Sequence, residues 1–147
     1  MFKHILFPTD GSPASSAAIL ECMKFAQEAG ARVTALHVLP EYHAFPVHPA
    51  QFSESRDDYI RATEAEGMAM LAAATDVARD LNVPCDTAQL RSDHPYEAIL
   101  AAARDGHCDM IAMATHGYKG MKGMLLGSET HRVLMNTEVP VLVFRPH

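Results

Sequence analysis

Ile5-Leu6-Phe7-Pro8-Thr9-Asp10-Gly11-Ser12-Pro13 decides how the rest of the chain is read. Ile5 to Pro8 is the short apolar run of a strand buried on both faces, and Thr9 to Pro13 ends it with turn formers. Ser12 before Pro13 is the pattern of an N-cap followed by proline at the first helical position, where a missing N–H costs nothing. Ala18, Cys22, Phe25 and Ala29 then recur at helical spacing until Gly30, which predicts a helix from Pro13 to Ala29. Val33 to Leu39 is rich in β-branched and apolar residues and closes at Pro40, giving a second strand. A strand, a crossover helix and a second strand form a βαβ unit.

The same alternation continues outward from that unit. Glu41 to Phe52 carries Pro46 and Pro49 without periodicity and reads as an irregular loop long enough to cover a ligand. From Ser53 the chain is predicted helical to about Asn82, with Ile60, Met70, Leu71, Ala74, Val77, Ala78 and Leu81 on one side. A third strand at Cys85–Leu90 follows, then a third helix capped near Asp93 with Tyr96, Ile99, Leu100 and Ala103 inward, then a fourth strand at Met110–Ala114. Ser128 to Met135 is predicted as a short fourth helix with Ser128 as its N-cap, and Val139 to Phe144 as a fifth strand. The sum is (βα)4β: an α/β fold, a single domain over residues 1–147 with an open parallel five-stranded sheet and helices on both faces. In such sheets ligands bind at the carboxyl ends of the strands, where the strand order reverses.

Composition bounds the partners. The 147 residues are 48% hydrophobic and 20% charged with a formal net charge of -6, enough apolar surface for one core and no basic line to neutralise phosphates of a duplex. Nucleic acid is therefore not expected as a partner. No apolar run approaches bilayer-spanning length, and Met1-Phe2-Lys3-His4 leads into a strand without a cleavage site, so no membrane association and a cytoplasmic location are expected. Cys22, Cys85 and Cys108 are too widely spaced for a metal or redox pair and read as reduced, buried small hydrophobes. The nine histidines never fall at metal-ligand spacing, so no protein-held metal is expected.

Chemistry concentrates in Thr115-His116-Gly117-Tyr118-Lys119-Gly120-Met121-Lys122-Gly123-Met124-Leu125-Leu126-Gly127-Ser128. Glycines without Cβ let main-chain N–H groups approach an anion, and a helix beginning after Gly127 offers unpaired donors and the positive end of its dipole. Lys119 and Lys122 add positive charge. Two readings stand: a phosphate site, or a connection that needs glycine for its turns. The segment is neither a Walker A loop nor the Gly-x-Gly-x-x-Gly turn after a first strand. Asp10 likewise has two readings, a hydrogen-bond acceptor for a ligand or an Asx turn leading into the Ser12 cap. If strands one and four are neighbours, both segments share one edge of the sheet.

Here the chain resembles the nucleotide-binding branch of the universal stress protein family. Ile5-Leu6-Phe7-Pro8-Thr9-Asp10-Gly11-Ser12 is similar to that family's opening strand and turn, and His37-Val38 to its second strand end. Gly117, the nine residues after it, Gly127 and Ser128 match the second half of the family's nucleotide motif; Ala114 replaces the motif's first glycine, adding a methyl group. Val139-Pro140-Val141-Leu142-Val143 is similar to its last strand. The resemblance implies a Rossmann-like nucleotide-binding fold and an ATP site, with Pro8, Thr9, Asp10 and the main chain of Val38 at adenine and Ala114 and Gly117 by the ribose. It further implies phosphates on Gly117, Gly127, Ser128 and Glu129, with His116 and Lys122 near them; Mg2+ bridging the phosphates is expected because the charge of a triphosphate needs both backbone donors and a cation. Stress-response signalling, with an unidentified protein partner, is the function it implies.

Rival readings need other residues. A receiver domain needs a phospho-accepting Asp after strand three, where Gln89-Leu90-Arg91 stands, and an adenylating enzyme needs a Ser-Gly-Gly loop after strand one. The remaining rival is a dimeric interaction module without nucleotide, whose glycines are structural. A homodimer is expected on the last strand, Val139 to Phe144, because it ends the chain as an apolar sheet edge; Pro140 as an edge guard is the alternative. No Ser or Cys stands with a His and an orienting carboxylate, and no residue is evidently placed to direct water at a phosphate, so no catalytic residue and at most slow ATP hydrolysis are expected.

Overall fold

A computed structural model describes residues 1–43, 55–115 and 127–145. The elements are β1 His4–Pro8, α1 Pro13–Ala29, β2 Arg32–Leu39, α2 Arg56–Asp80, β3 Cys85–Arg91, α3 Pro95–Asp105, β4 Met110–Ala114, α4 Ser128–Asn136 and β5 Val141–Phe144. All pairings are parallel, and the strand order is β3-β2-β1-β4-β5. The expected five-stranded α/β architecture is present.

Alternation along the central strands makes two cores. Ile5 and Phe7 of β1, Val33 and Ala35 of β2, and Met110, Ala112 and Ala114 of β4 pack with α1 and α2. Leu6, Leu36, Ile111 and Met113, offset by one residue, pack with Ile99 and Ala103 of α3 and Val133 of α4. A strand that feeds both cores must be apolar at every position, which is why β1 and β4 read as unbroken hydrophobic runs. The amino ends are tied by the Asp109 carboxylate, which accepts from Lys3 N at 2.8 Å and His4 N at 3.1 Å.

Several sequence expectations are corrected in detail. The inward face of α1 is Ala18, Ile19, Cys22, Met23 and Ala26, so Phe25 is only partly buried and Ala29 is exposed. Asp93 does not cap α3; His94 holds that position without a side-chain cap bond, and Asp93 instead accepts from Glu41 N at 3.2 Å and pairs with His43 at 3.0 Å. Cys85 is half-buried rather than buried. Strand β5 begins at Val141, not Val139. Ile111 N donates to Pro140 O at 3.0 Å and Thr115 N to Phe144 O at 2.9 Å, so even-numbered residues face β4 and the open edge belongs to Val141 and Val143. Pro140 removes no donor from that edge and cannot guard it.

Candidate functional site

β1 pairs with β2 on one side and β4 on the other, so connections leave it toward opposite faces and the strand order reverses between β1 and β4. A crevice at their carboxyl ends follows from that topology. On the β1 side, Thr9 is buried; its N–H donates to Leu36 O at 2.8 Å, while its hydroxyl accepts from Ser15 Oγ at 3.1 Å. Ser12 N donates to Asp10 Oδ1 at 2.9 Å and Ser15 N to Ser12 Oγ at 3.1 Å. Asp10 thus makes the Asx turn that delivers the chain to the Ser12 cap, and it does so at the crevice rim, where its side chain is exposed. Gly11 is required by its φ of +74°, and a Cβ there would press on Met70 of α2.

Val38 lies two residues beyond Leu36, the partner of Pro8 in the β1–β2 register. Leu36 O points toward β1, and the period of two turns the N–H and C=O of Val38 to the same side, above the last residue of β1. Main-chain donors and acceptors at that height suit the edge of a planar base.

On the β4 side, Ala114 is buried and its carbonyl accepts from Thr130 Oγ1 at 3.0 Å. Gly127 N donates to Thr115 O, which fastens the start of α4 to the end of β4. The N-cap of α4 is Gly127, with no side-chain cap bond, and Ser128 is the first helical residue; this corrects the expectation that Ser128 is the cap. A cap without a side chain supplies no acceptor of its own to the first-turn amides of α4. The φ of Gly127 is -70°, open to any residue, so its backbone conformation is no reason for glycine. The Glu129 carboxylate is turned to α3, accepting from Tyr96 N at 2.8 Å.

Pro8, Thr9, Asp10, Val38, Ala114, Gly127, Ser128 and Glu129 therefore stand at one edge of the sheet. His116, Gly117, Lys119 and Lys122, and residues 44–52 of the proposed covering loop, lie outside the described residues. Among the described residues no three His, Cys, Asp or Glu side chains could hold a metal ion. Burial pushes the Cys22 thiol up to about 12 and raises Cys85 and Cys108 as well, which leaves all three poor nucleophiles. A cavity of about 290 Å³ lined by Lys3, Gln27, Arg32 and Asn82 is at the opposite, amino end of the strands and shares no residue with the crevice.

His37 is a contributor that the sequence reading left unassigned. Its Nδ1 is 3.1 Å from Thr9 O, bridging β2 to the turn after β1. Behind it, Gly67 of α2 is buried, and a Cβ there would meet the His37 ring at 2.7 Å and collide with Gln89 Oε1. Gln89 Nε2 donates to Glu64 O at 3.2 Å, whereas Gln89 Oε1 is buried without a partner among the described residues. Glycine in mid-helix is the signal that could have found this contact. Helix propensity alone favours Gly67→Ala by about 1 kcal/mol, but the steric demand on two neighbours costs about 1–3 kcal/mol. The variant is expected to be less stable in urea denaturation; a higher midpoint than wild type overturns this account.

The universal stress protein family model matches residues 1–145. A universal stress protein of Thermus aquaticus is 32% identical over 99% of this chain and 100% of its own length. Universal stress protein MJ0531 of Methanocaldococcus jannaschii is also 32% identical, over 99% of this chain and 83% of its own. Among solved structures, MJ0577 superposes with a TM-score of 0.80 at 28% identity, covering 100% of this chain and 98% of that one. A universal stress family protein of Arabidopsis thaliana with AMP bound superposes at 0.70 with 16% identity, over 99% and 92% of the two chains; it shares the fold. With the family's pattern present from the first strand to the last, this chain belongs to the universal stress protein family.

Proposed function

We propose that the chain binds ATP in the crevice between β1 and β4 and acts as a nucleotide-dependent stress-response module. The observation that carries this reading is the attachment of α4 to β4 through Gly127 N and Thr115 O at the strand-order reversal. It aims a helix N-terminus without a side-chain cap at the place where the fold receives ligands. Val38 serves the base through its main chain, Asp10 the base or sugar, Ala114 and Gly117 the ribose, and Gly117, Gly127, Ser128 and the Glu129 amide the phosphates. Mg2+ enters with the phosphates, because the charge of a triphosphate needs a cation as well as backbone donors. The AMP-bound Arabidopsis protein supports only the capacity of the fold.

The chain has no Trp and four Tyr, so nucleotide carried through purification would dominate its ultraviolet spectrum. Calorimetric titration of nucleotide-free protein is the test: saturable heat with ATP and Mg2+ is expected, and no saturation at millimolar ATP overturns the reading in favour of an interaction module without nucleotide. Hydrolysis on this reading is at most slow, and steady-state phosphate release at about 1 per second or faster overturns it.

A second copy of the chain is the partner we assign to the open edge of β5. Val141 and Val143 present main-chain groups there. Light scattering at micromolar concentration is expected to give the mass of two chains; the mass of one chain removes the assignment.

A further inference from the structure

We propose that Glu129 is a positioning residue that locks the first turn of α4 to the start of α3 and thereby sets the geometry of the phosphate-facing amides. An acidic residue in a first helical turn ordinarily favours its own helix dipole. Glu129 instead reaches across: its Oε2 accepts from Tyr96 N at 2.8 Å, and Tyr96 is the second residue of α3. Helix α3 lacks a side-chain bond from its own N-cap His94, so one of its unpaired first-turn donors is satisfied from another helix. Glu129 Oε1 pairs with Arg132 Nη1 at 3.1 Å, and the Arg132 guanidinium lies 5.7 Å from the centre of the Tyr96 ring. One hydrogen bond and a cation–π contact thus join α4 to α3 beside Ser128, and the Glu129–Arg132 pair within α4 holds both groups in place.

The exposed Glu129–Arg132 pair alone would contribute little. The bond to Tyr96 N is different, because it is charge-assisted and joins residues 33 apart in sequence. It also disposes of a charge: a carboxylate one residue after Ser128 would repel an anion at the α4 N-terminus if it turned toward the crevice. Held by Tyr96 N and Arg132, it points away and is compensated.

This inference rests on the proposed nucleotide site, and amide exchange at Tyr96 separates the two. In ligand-free Glu129→Ala, exchange of the Tyr96 amide is expected to accelerate about ten-fold, and in titration ATP affinity is expected to fall about five- to ten-fold. Glu129→Gln keeps a neutral acceptor for Tyr96 N and is expected to fall between wild type and Glu129→Ala in both readouts. Unchanged Tyr96 exchange in Glu129→Ala overturns the lock. Faster exchange with unchanged affinity overturns its link to the phosphate site, and a glutamine variant as weak as alanine overturns the positioning role. If wild type binds no ATP, the site reading and its link to Glu129 fall together, while Tyr96 exchange still decides the lock.

Discussion

Ser128→Asp is expected to weaken ATP binding about 100-fold and to leave the protein as stable as wild type or slightly more so. Ser128 is exposed and is the first residue of α4. In the free protein an aspartate there meets the positive end of the helix dipole, which favours it by about 0.3–1 kcal/mol. With a phosphate on the same turn, the added carboxylate faces a like charge, at a cost of several kcal/mol; about 3 kcal/mol corresponds to the 100-fold loss. The two effects act in different states and have opposite signs, so a urea melt and a titration separate them. Ser128→Ala removes one hydroxyl and is expected to lose only a few-fold, about 1 kcal/mol. Wild-type affinity in Ser128→Asp would mean that phosphate binds elsewhere.

Burial on two faces made the inner strands legible. Phe7 and Leu6 belong to opposite cores, as do Ala112 and Ile111, and an apolar run of four or five residues bounded by turn formers is long enough for a strand but too short for a helix. Helix α1 is bounded as expected at both ends because Ser12-Pro13 is a strong start signal and Gly30 a strong stop signal. Caps decided by tertiary contact were not legible. Asp93 outranks His94 in local propensity but is drawn to Glu41 N and His43 at the end of β2, and Gly127 takes the cap of α4 because its N–H is held by Thr115 O. Val139 looks like strand sequence, yet Thr137 Oγ1 donates to its carbonyl at 2.7 Å and keeps it in the preceding turn.

The same distinction runs through the site. Pro8 to Asp10 and Ala114 stand where two strands end, so finding the strands found them. His37 and Glu129 act through partners 28 and 33 residues away, and a single sequence carries no sign of such pairings. Glu129 was singled out for its place in the chain, whereas its side chain bonds to the start of α3.

Phe7→Ala should be the most destabilising single truncation in the inner strands and, through ATP, a second assay of the crevice. Phe7 is 0% exposed and belongs with Ile5, Ala35 and Ala112 to the core against α1 and α2. Removing a buried ring costs about 3–5 kcal/mol, against a total stability of about 5–15 kcal/mol for a domain of ordinary size. The melting temperature is expected to fall by roughly 10–15 °C at this chain length, while Phe7→Leu, which keeps most of the volume, stays within about 1.5 kcal/mol of wild type. Phe7 packs below the crevice, so the folded fraction of Phe7→Ala retains Val38, Asp10 and the start of α4 for nucleotide. ATP at about 100 times its dissociation constant should therefore restore about 2.7 kcal/mol and recover a large part of the lost melting temperature. A loss under 1 kcal/mol would contradict the packing account. A normal loss with no recovery in ATP would place any bound nucleotide on both folded and unfolded chains, contradicting a crevice assembled by β1, β2, β4 and α4.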